Sequence, residues 1–305
     1  MKRINIGNGA INASEISLGC MRIADLSKKD AAVLINTALE EGIDFFDHAD
    51  CYGGGKSEEI FSEAIDMSPS IREKFIIQTK CGISQGIFDF SKEHILEAVD
   101  GSLKRLKTDY VDTLLLHRPD ALVEPEEVAE AFSILQSNGK VRNFGVSNQK
   151  PMQIELLNKY INQKLIINQL QLSITNSGMI DNGINVNMEV DSSIDRDGSI
   201  LDYCRLKDIT IQPWSPFQFG FFEGVFLNND KFPELNKKID ELAEAKGVPN
   251  TAIAIAWILR HPAKMQPVVG TTNVARLKDI CKASNVTLTR PEWYEIYKAA
   301  GNKLP

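Results

Sequence analysis

The stretch "FDHADCYGGGKSEE", residues 46–59, follows an apolar run and carries two incompatible readings. Three glycines before Lys56 and Ser57 suggest a nucleotide phosphate loop, whereas Asp47 and Tyr52 suggest proton chemistry at a strand end. A G-x-x-x-x-G-K-[ST] loop requires a glycine five residues before Gly55. That position is Asp50, whose carboxylate would repel phosphate. What remains is an acid closing a short apolar strand, with a phenol in the flexible turn behind it.

Outward from this stretch, apolar strand-like runs alternate with longer amphipathic segments to the end of the chain. After a hairpin turning at Gly7-Asn8-Gly9, the strand candidates are 15–19, 43–47, 75–80, 110–117, 141–147, 165–172, 209–215 and 265–270. Helical segments lie between them, as in "SKKDAAVLINTALEEG" (27–42), where Ser27 can cap the first turn and Gly42 can take the left-handed position past the end. Eight βα units predict an α/β fold closed as a (β/α)8 TIM barrel over residues 1–305 as a single domain, with an N-terminal β-hairpin and a C-terminal helix. An open doubly wound sheet would show much the same alternation. The polar, turn-rich segment 174–198 reads as a long loop.

With 305 residues and 43% hydrophobic content, the chain can bury a large core. A net charge of -7 with scattered basic residues leaves no footprint for nucleic acid. Five widely spaced cysteines without a C-x-x-C pair fit a reducing compartment and no metal. No N-terminal signal segment is visible, and no run reaches the ~18 apolar residues that span a bilayer. These features predict a cytoplasmic location without membrane attachment. Oligomeric state is not written in the sequence, and a monomer is compatible with it.

In a barrel the C-terminal ends of the strands converge on one face. Asp47 closes the second strand candidate with Tyr52 just beyond it, Lys80 closes the third and His117 the fourth. "SN" at 147–148 ends the fifth, Gln169 lies on the sixth, "WS" at 214–215 ends the seventh, and "GTTN" at 270–273 follows the eighth. His48, next to Asp47, would face the other side of its strand.

In these motifs, "FFDHADCYGGGKSEE", the Lys after "IIQT", "LLLH", "GVSN" and "GTTNVARL", the chain resembles the aldo-keto reductases along essentially its whole length. The resemblance implies a small-molecule carbonyl substrate, an extended NADPH (NADP+) cofactor, no metal, and a tetrad of Asp47, Tyr52, Lys80 and His117. It places Ser147, Asn148 and Gln169 on the nicotinamide carboxamide, Trp214 against the ring, and Ser215, Pro216 and Phe217 along the pyrophosphate. Gly270, Thr271, Thr272, Asn273 and Arg276 would surround the adenosine 2'-phosphate, with Gly270 standing where a lysine is common. Independently of the family, reduction of a carbonyl builds negative charge on oxygen and needs an acid pointed at it. Tyr52 next to an ammonium held by Asp47 supplies one.

Two other readings stay open. Lys80 could form a Schiff base in a barrel aldolase, although Asp47 would hold the amine protonated. The chain could also bind cofactor without turnover, as a sensor or scaffold. The loops that would shape a substrate cavity, with Met21, Phe88, Phe217 and Phe219 as apolar candidates, do not name a ligand.

Overall fold

The computed structural model describes residues 1–304. Its centre is a closed barrel of eight parallel strands arranged in chain order: Ser17–Gly19, Phe45–Asp47, Ile76–Cys81, Val111–Leu116, Val141–Ser147, Leu165–Gln171, Thr210–Trp214 and Val268–Val269. Both faces of a parallel barrel strand are covered, one by the interior and one by helices, so the strands read as continuous apolar runs. Val111–Leu116 is buried at all six positions.

Alternation along the second strand sorts its side chains. Phe46 faces outward and packs with Phe61 and Phe75, ring centroids 5.3 and 5.0 Å away. Phe45 faces inward into a cluster with Leu115, Ile167 and the hairpin residues Ile4, Ile6 and Ala13. The hairpin Arg3–Ile6/Ile11–Ser14 thus seals the barrel at its N-terminal end, turning through left-handed Gly7, Asn8 and Gly9 as the sequence predicts. Gly145 on the fifth strand is a packing requirement: a Cβ there would lie 2.6 Å from Leu115 Cδ2 and 2.7 Å from the Ile167 carbonyl oxygen.

The helix Lys28–Glu40 begins at Ser27, whose hydroxyl accepts from the Asp30 amide, and is followed by Gly42 at φ 86°. The C-terminal helix Arg290–Ala299 starts with a Thr289/Glu292 capping box. It docks by stacking Trp293 on Trp257 at 4.7 Å, each indole N–H donating to the other residue's carbonyl.

Segment 174–198 departs from the expected loop. It contains the helix Gly178–Ile184, with Met179 and Ile180 buried and Asp181 accepting from the Tyr297 hydroxyl at 2.7 Å. Three glycines and several Asn and Asp residues give this stretch a turn composition, and a contact with the distant C-terminal helix overrides it. Among the described residues no helix is long and apolar enough to cross a membrane.

Candidate active site

At the C-terminal end of the barrel, Lys80 is fully buried, and its ammonium has one acceptor for each of its three hydrogens. Nζ donates to Asp47 Oδ2 at 2.9 Å, to the His48 carbonyl oxygen at 2.8 Å and to the Tyr52 hydroxyl oxygen at 3.0 Å. Asp47 sits on the strand beside Lys80. Tyr52 is brought back over them by a tight turn in which Gly53, Gly54 and Gly55 all have positive φ. A Cβ on Gly53 would come within 2.5 Å of Ala24 Cβ, so this glycine run serves the turn. Ser57, which a phosphate loop would aim at a metal ion, is buried and donates to the carbonyls of Cys20 and Met21.

His117 completes the cluster, its ring edge-on to Tyr52 at 5.9 Å and its Nδ1 3.7 Å from Cys51 Sγ. His48 points to the outer side of its strand, fully buried against the Phe61 ring at 4.6 Å. Burial, and then the Lys80 charge, push its pKa down to about 3.

Burial and charge oppose one another within the cluster. Burial pulls the Lys80 ammonium down, but Asp47 and Tyr52 together outweigh it and hold the group above the ordinary lysine range. Burial pushes the Tyr52 phenol up to about 12; Lys80 works against that shift without reversing it. Burial, followed by the charges of Lys80 and Arg118, holds His117 well below the usual imidazole range, so its ring is neutral at physiological pH.

These groups open into a cleft of about 820 Å³ that runs from Asp47 and Tyr52 past Trp214 to Arg276. Every residue that the sequence assigns to the cofactor lies along it. Ser147 donates to the Gln169 carbonyl at 3.0 Å and accepts from Asn148 Nδ2 at 2.8 Å; Asn148 Oδ1 accepts from the Trp214 indole at 3.1 Å. Ser215, Pro216 and Phe217 form one wall. At the far end the helix Val274–Cys281 opens toward the cleft, with Asn273 Oδ1 accepting the Arg276 amide at 2.9 Å and Thr271 Oγ1 accepting the Asn273 amide. The Arg276 guanidinium is exposed and makes no ion pair among the described residues. An exposed arginine at a helix N-terminus, joined by an aromatic wall to a half-buried phenol, fits a long, anionic dinucleotide.

Two of the expected apolar wall residues lie elsewhere. Phe219 packs into the core on Phe232, and Phe88 belongs to a small hairpin, Ile83–Ser84/Ile87–Phe88, away from the cleft. Phe222, from the loop after the seventh strand, stacks on Trp214 instead.

Two features were not read from the sequence. The first is a ladder of buried amides: Gln78 and Gln169 donate to Asp47 Oδ1 at 2.6 and 3.0 Å and share Gln212 Oε1, while Gln212 donates to Gln266, which donates to the Ser14 carbonyl. Its signal was available, since each of four apolar strand runs contains a glutamine. The Gln169 Nε2 group is therefore already bonded to Asp47 and Gln212. The second is Arg118, half-buried beside His117 in the cleft wall.

The model of the aldo/keto reductase family matches residues 15–300. The chain belongs to this family. Its relatives include the uncharacterized oxidoreductase YcsN of Bacillus subtilis, 35% identical with all of both chains covered, and a 6-dehydroglucose reductase of Agrobacterium fabrum, 34% identical over 99% of each. Oxidoreductase YdhF of Escherichia coli is 31% identical over 98% of each chain. A crystal structure of a thermostable aldo-keto reductase shares the fold with a TM-score of 0.78 at 24% identity, covering 98% of this chain and all of that one. The chain is thus an oxidoreductase-family enzyme, in a family that generally uses nicotinamide cofactors.

Proposed function

We propose that this enzyme is an NADPH-dependent reductase that converts aldehydes or ketones to alcohols, with Tyr52 as the general acid. The observation that carries this reading is the saturated Lys80 ammonium. Because Lys80 donates to the Tyr52 oxygen, the phenolic hydrogen is left free to point elsewhere, and the cleft is the open direction. A Schiff-base lysine needs a free amine, whereas Asp47 keeps this one charged and fully bonded. NADPH, when bound, supplies a hydride to the carbonyl carbon.

The protein's part is to stabilise and protonate the carbonyl oxygen. A phenol at about 12 stays protonated throughout the physiological range, yet is a far stronger acid than the alcohol being formed. The adjacent ammonium stabilises the phenolate left behind. Neutral His117 provides a second hydrogen bond to the same oxygen. Burial pushes the Cys51 thiol up to about 11, so it stays protonated and can donate to His117 Nδ1, leaving the imidazole hydrogen on Nε2. Ser147, Asn148 and Gln169 orient the nicotinamide carboxamide, Trp214 flanks the ring, Ser215 to Phe217 follow the pyrophosphate, and Gly270 to Arg276 hold the 2'-phosphate. The Agrobacterium relative named for 6-dehydroglucose supports a small, oxygenated aldehyde as substrate.

The test is a panel of aldehydes and ketones assayed by loss of NADPH and NADH absorbance, with Tyr52→Phe alongside. Turnover of the variant should fall by about two or more orders of magnitude while NADPH affinity stays near wild type. Wild-type turnover in a folded Tyr52→Phe protein would remove Tyr52 from the role.

A further inference from the structure

Arg118 follows His117 directly at the end of the fourth barrel strand. Its guanidinium lies 5.6 Å from the centre of the Trp214 ring, and the residue is half-buried in the cleft wall with Tyr52 and His117. Among the described residues the side chain makes no ion pair and no hydrogen bond, whereas every other cation near the chemistry is accounted for. Lys80 is saturated by Asp47, His48 and Tyr52, and Arg105, Arg72 and Arg142 each hold a carboxylate elsewhere. Of the two carboxylates that line the cleft, Asp47 is bonded to Lys80 and Asp279 lies three residues beyond Arg276.

A guanidinium taken partly out of water with its donors unmet is costly, and burial indeed pulls the Arg118 pKa below the ordinary arginine range. The cost disappears when a ligand brings two oxygens side by side into the planar fork. In the proposed pose the 2'-phosphate lies at the far end of the cleft, next to Arg276, and the pyrophosphate along Ser215 to Phe217, whereas Arg118 adjoins His117 at the end where the carbonyl oxygen would sit.

We infer that Arg118 is a specificity-determining residue: it takes a pair of adjacent oxygens on the substrate, a carboxylate or vicinal hydroxyls, while the carbonyl oxygen of that substrate faces Tyr52 and His117. This rests on the reductase reading and narrows it to small oxo-acids or hydroxylated aldehydes over plain alkanals. A carboxylate is the stronger of the two ligands, since it adds charge to the hydrogen bonds.

The experiment compares succinic semialdehyde, glyceraldehyde and butanal as substrates of the wild type, Arg118→Met and Arg118→Lys, with circular dichroism confirming the fold. Methionine keeps the unbranched stem against Trp214 and removes the fork. The wild type should favour one or both oxygenated aldehydes over butanal in kcat/KM, mainly through KM, and Arg118→Met should cut that ratio by about 10- to 100-fold. Arg118→Lys should keep part of the ratio for the acid, because it retains charge without the fork. A ratio that falls only for succinic semialdehyde identifies the carboxylate as ligand, and one that falls only for glyceraldehyde identifies the hydroxyls. Unchanged ratios, or an equal loss on all three substrates, overturn the assignment. Should no carbonyl be reduced at all, the reductase reading itself fails. Arg118 is then judged by calorimetric titration of the unreactive 4-hydroxybutyrate and glycerol against 1-butanol: equal affinities in wild type and Arg118→Met overturn the inference, and a selective loss upholds it.

Discussion

Replacing Lys80 with methionine would leave Asp47 buried without a cation and Tyr52 without the one charge that opposes its burial. The first effect is on stability: breaking a buried pair from one side costs about 3–5 kcal/mol, so thermal melts must precede kinetics. The second is on chemistry. With Lys80 gone, the Tyr52 pKa, already about 12, moves further up, and the phenol becomes a weaker acid. Reduction should slow steeply, and in the reverse oxidation of an alcohol, which needs the phenolate, the rising limb of the pH profile should shift to higher pH. A profile unmoved in a folded, cofactor-binding variant would disconnect Lys80 from the proton donor. Asp50 offers a test of opposite kind. Burial, and then the neighbouring Glu58, raise its carboxyl to about 6, above the value of about 3.9 in an unfolded chain. The folded state therefore binds this proton more tightly, and ionisation imposes a destabilisation that is absent below about pH 4 and complete above about 6. Asp50→Asn should raise Tm by a few degrees at pH 8 and leave it near wild type at pH 4. An equal gain at both pH values would point to packing instead of charge.

Among the elements, the helix Val274–Cys281 is the one to which the proposed NADPH preference is assigned. Its first turn is closed by Asn273, which leaves the exposed Arg276 side chain free for an external phosphate. Arg276→Ala should weaken NADPH binding by roughly 1.5–3 kcal/mol and change NADH little, measured by fluorescence titration. Equal weakening of both would place Arg276 off the 2'-phosphate. How well an element could be read from sequence followed how local its causes are. The run 141–147 is a strand over just those residues, buried at Val141 and on both faces from Phe144 to Ser147, and open only at Arg142 and Asn143. The run 265–270 shrinks to Val268–Val269, since Pro267 has no N–H to give to a ladder. Asp47, Tyr52, Lys80 and His117 could be placed together because strand ends of a barrel converge, a rule that needs only strand order. Arg118 and the glutamine ladder escaped because their meaning lies in partners that are absent or in other stretches of the chain, 134 residues apart between Gln78 and Gln212.

At the scale of the whole molecule, the barrel is unevenly fastened. Most neighbouring strands pair over three or more residues, as in the Val111–Leu116 and Val141–Ser147 register, but the seventh and eighth meet at a single Trp214–Val268 pairing, and the eighth meets the first, as the first meets the second, at two. Flanking bonds from the Gln266 amide to Ile211 and from the Ser17 amide to Pro267 reinforce the join without lengthening the strand. The same short strand stands between Trp214 on one side and the Gly270–Arg276 turn on the other, so the thinnest part of the wall coincides with the cleft proposed for the cofactor. Amide protons there are guarded by fewer neighbours, and deuterium should enter residues 265–273 sooner than 111–116 or 141–147. A dinucleotide bridging Trp214 and Arg276 would act as an external staple across the join, and mass-spectrometric exchange should show that peptide slowed more than any other on adding NADPH. The barrel's stiffness at its last strand would then vary with cofactor supply.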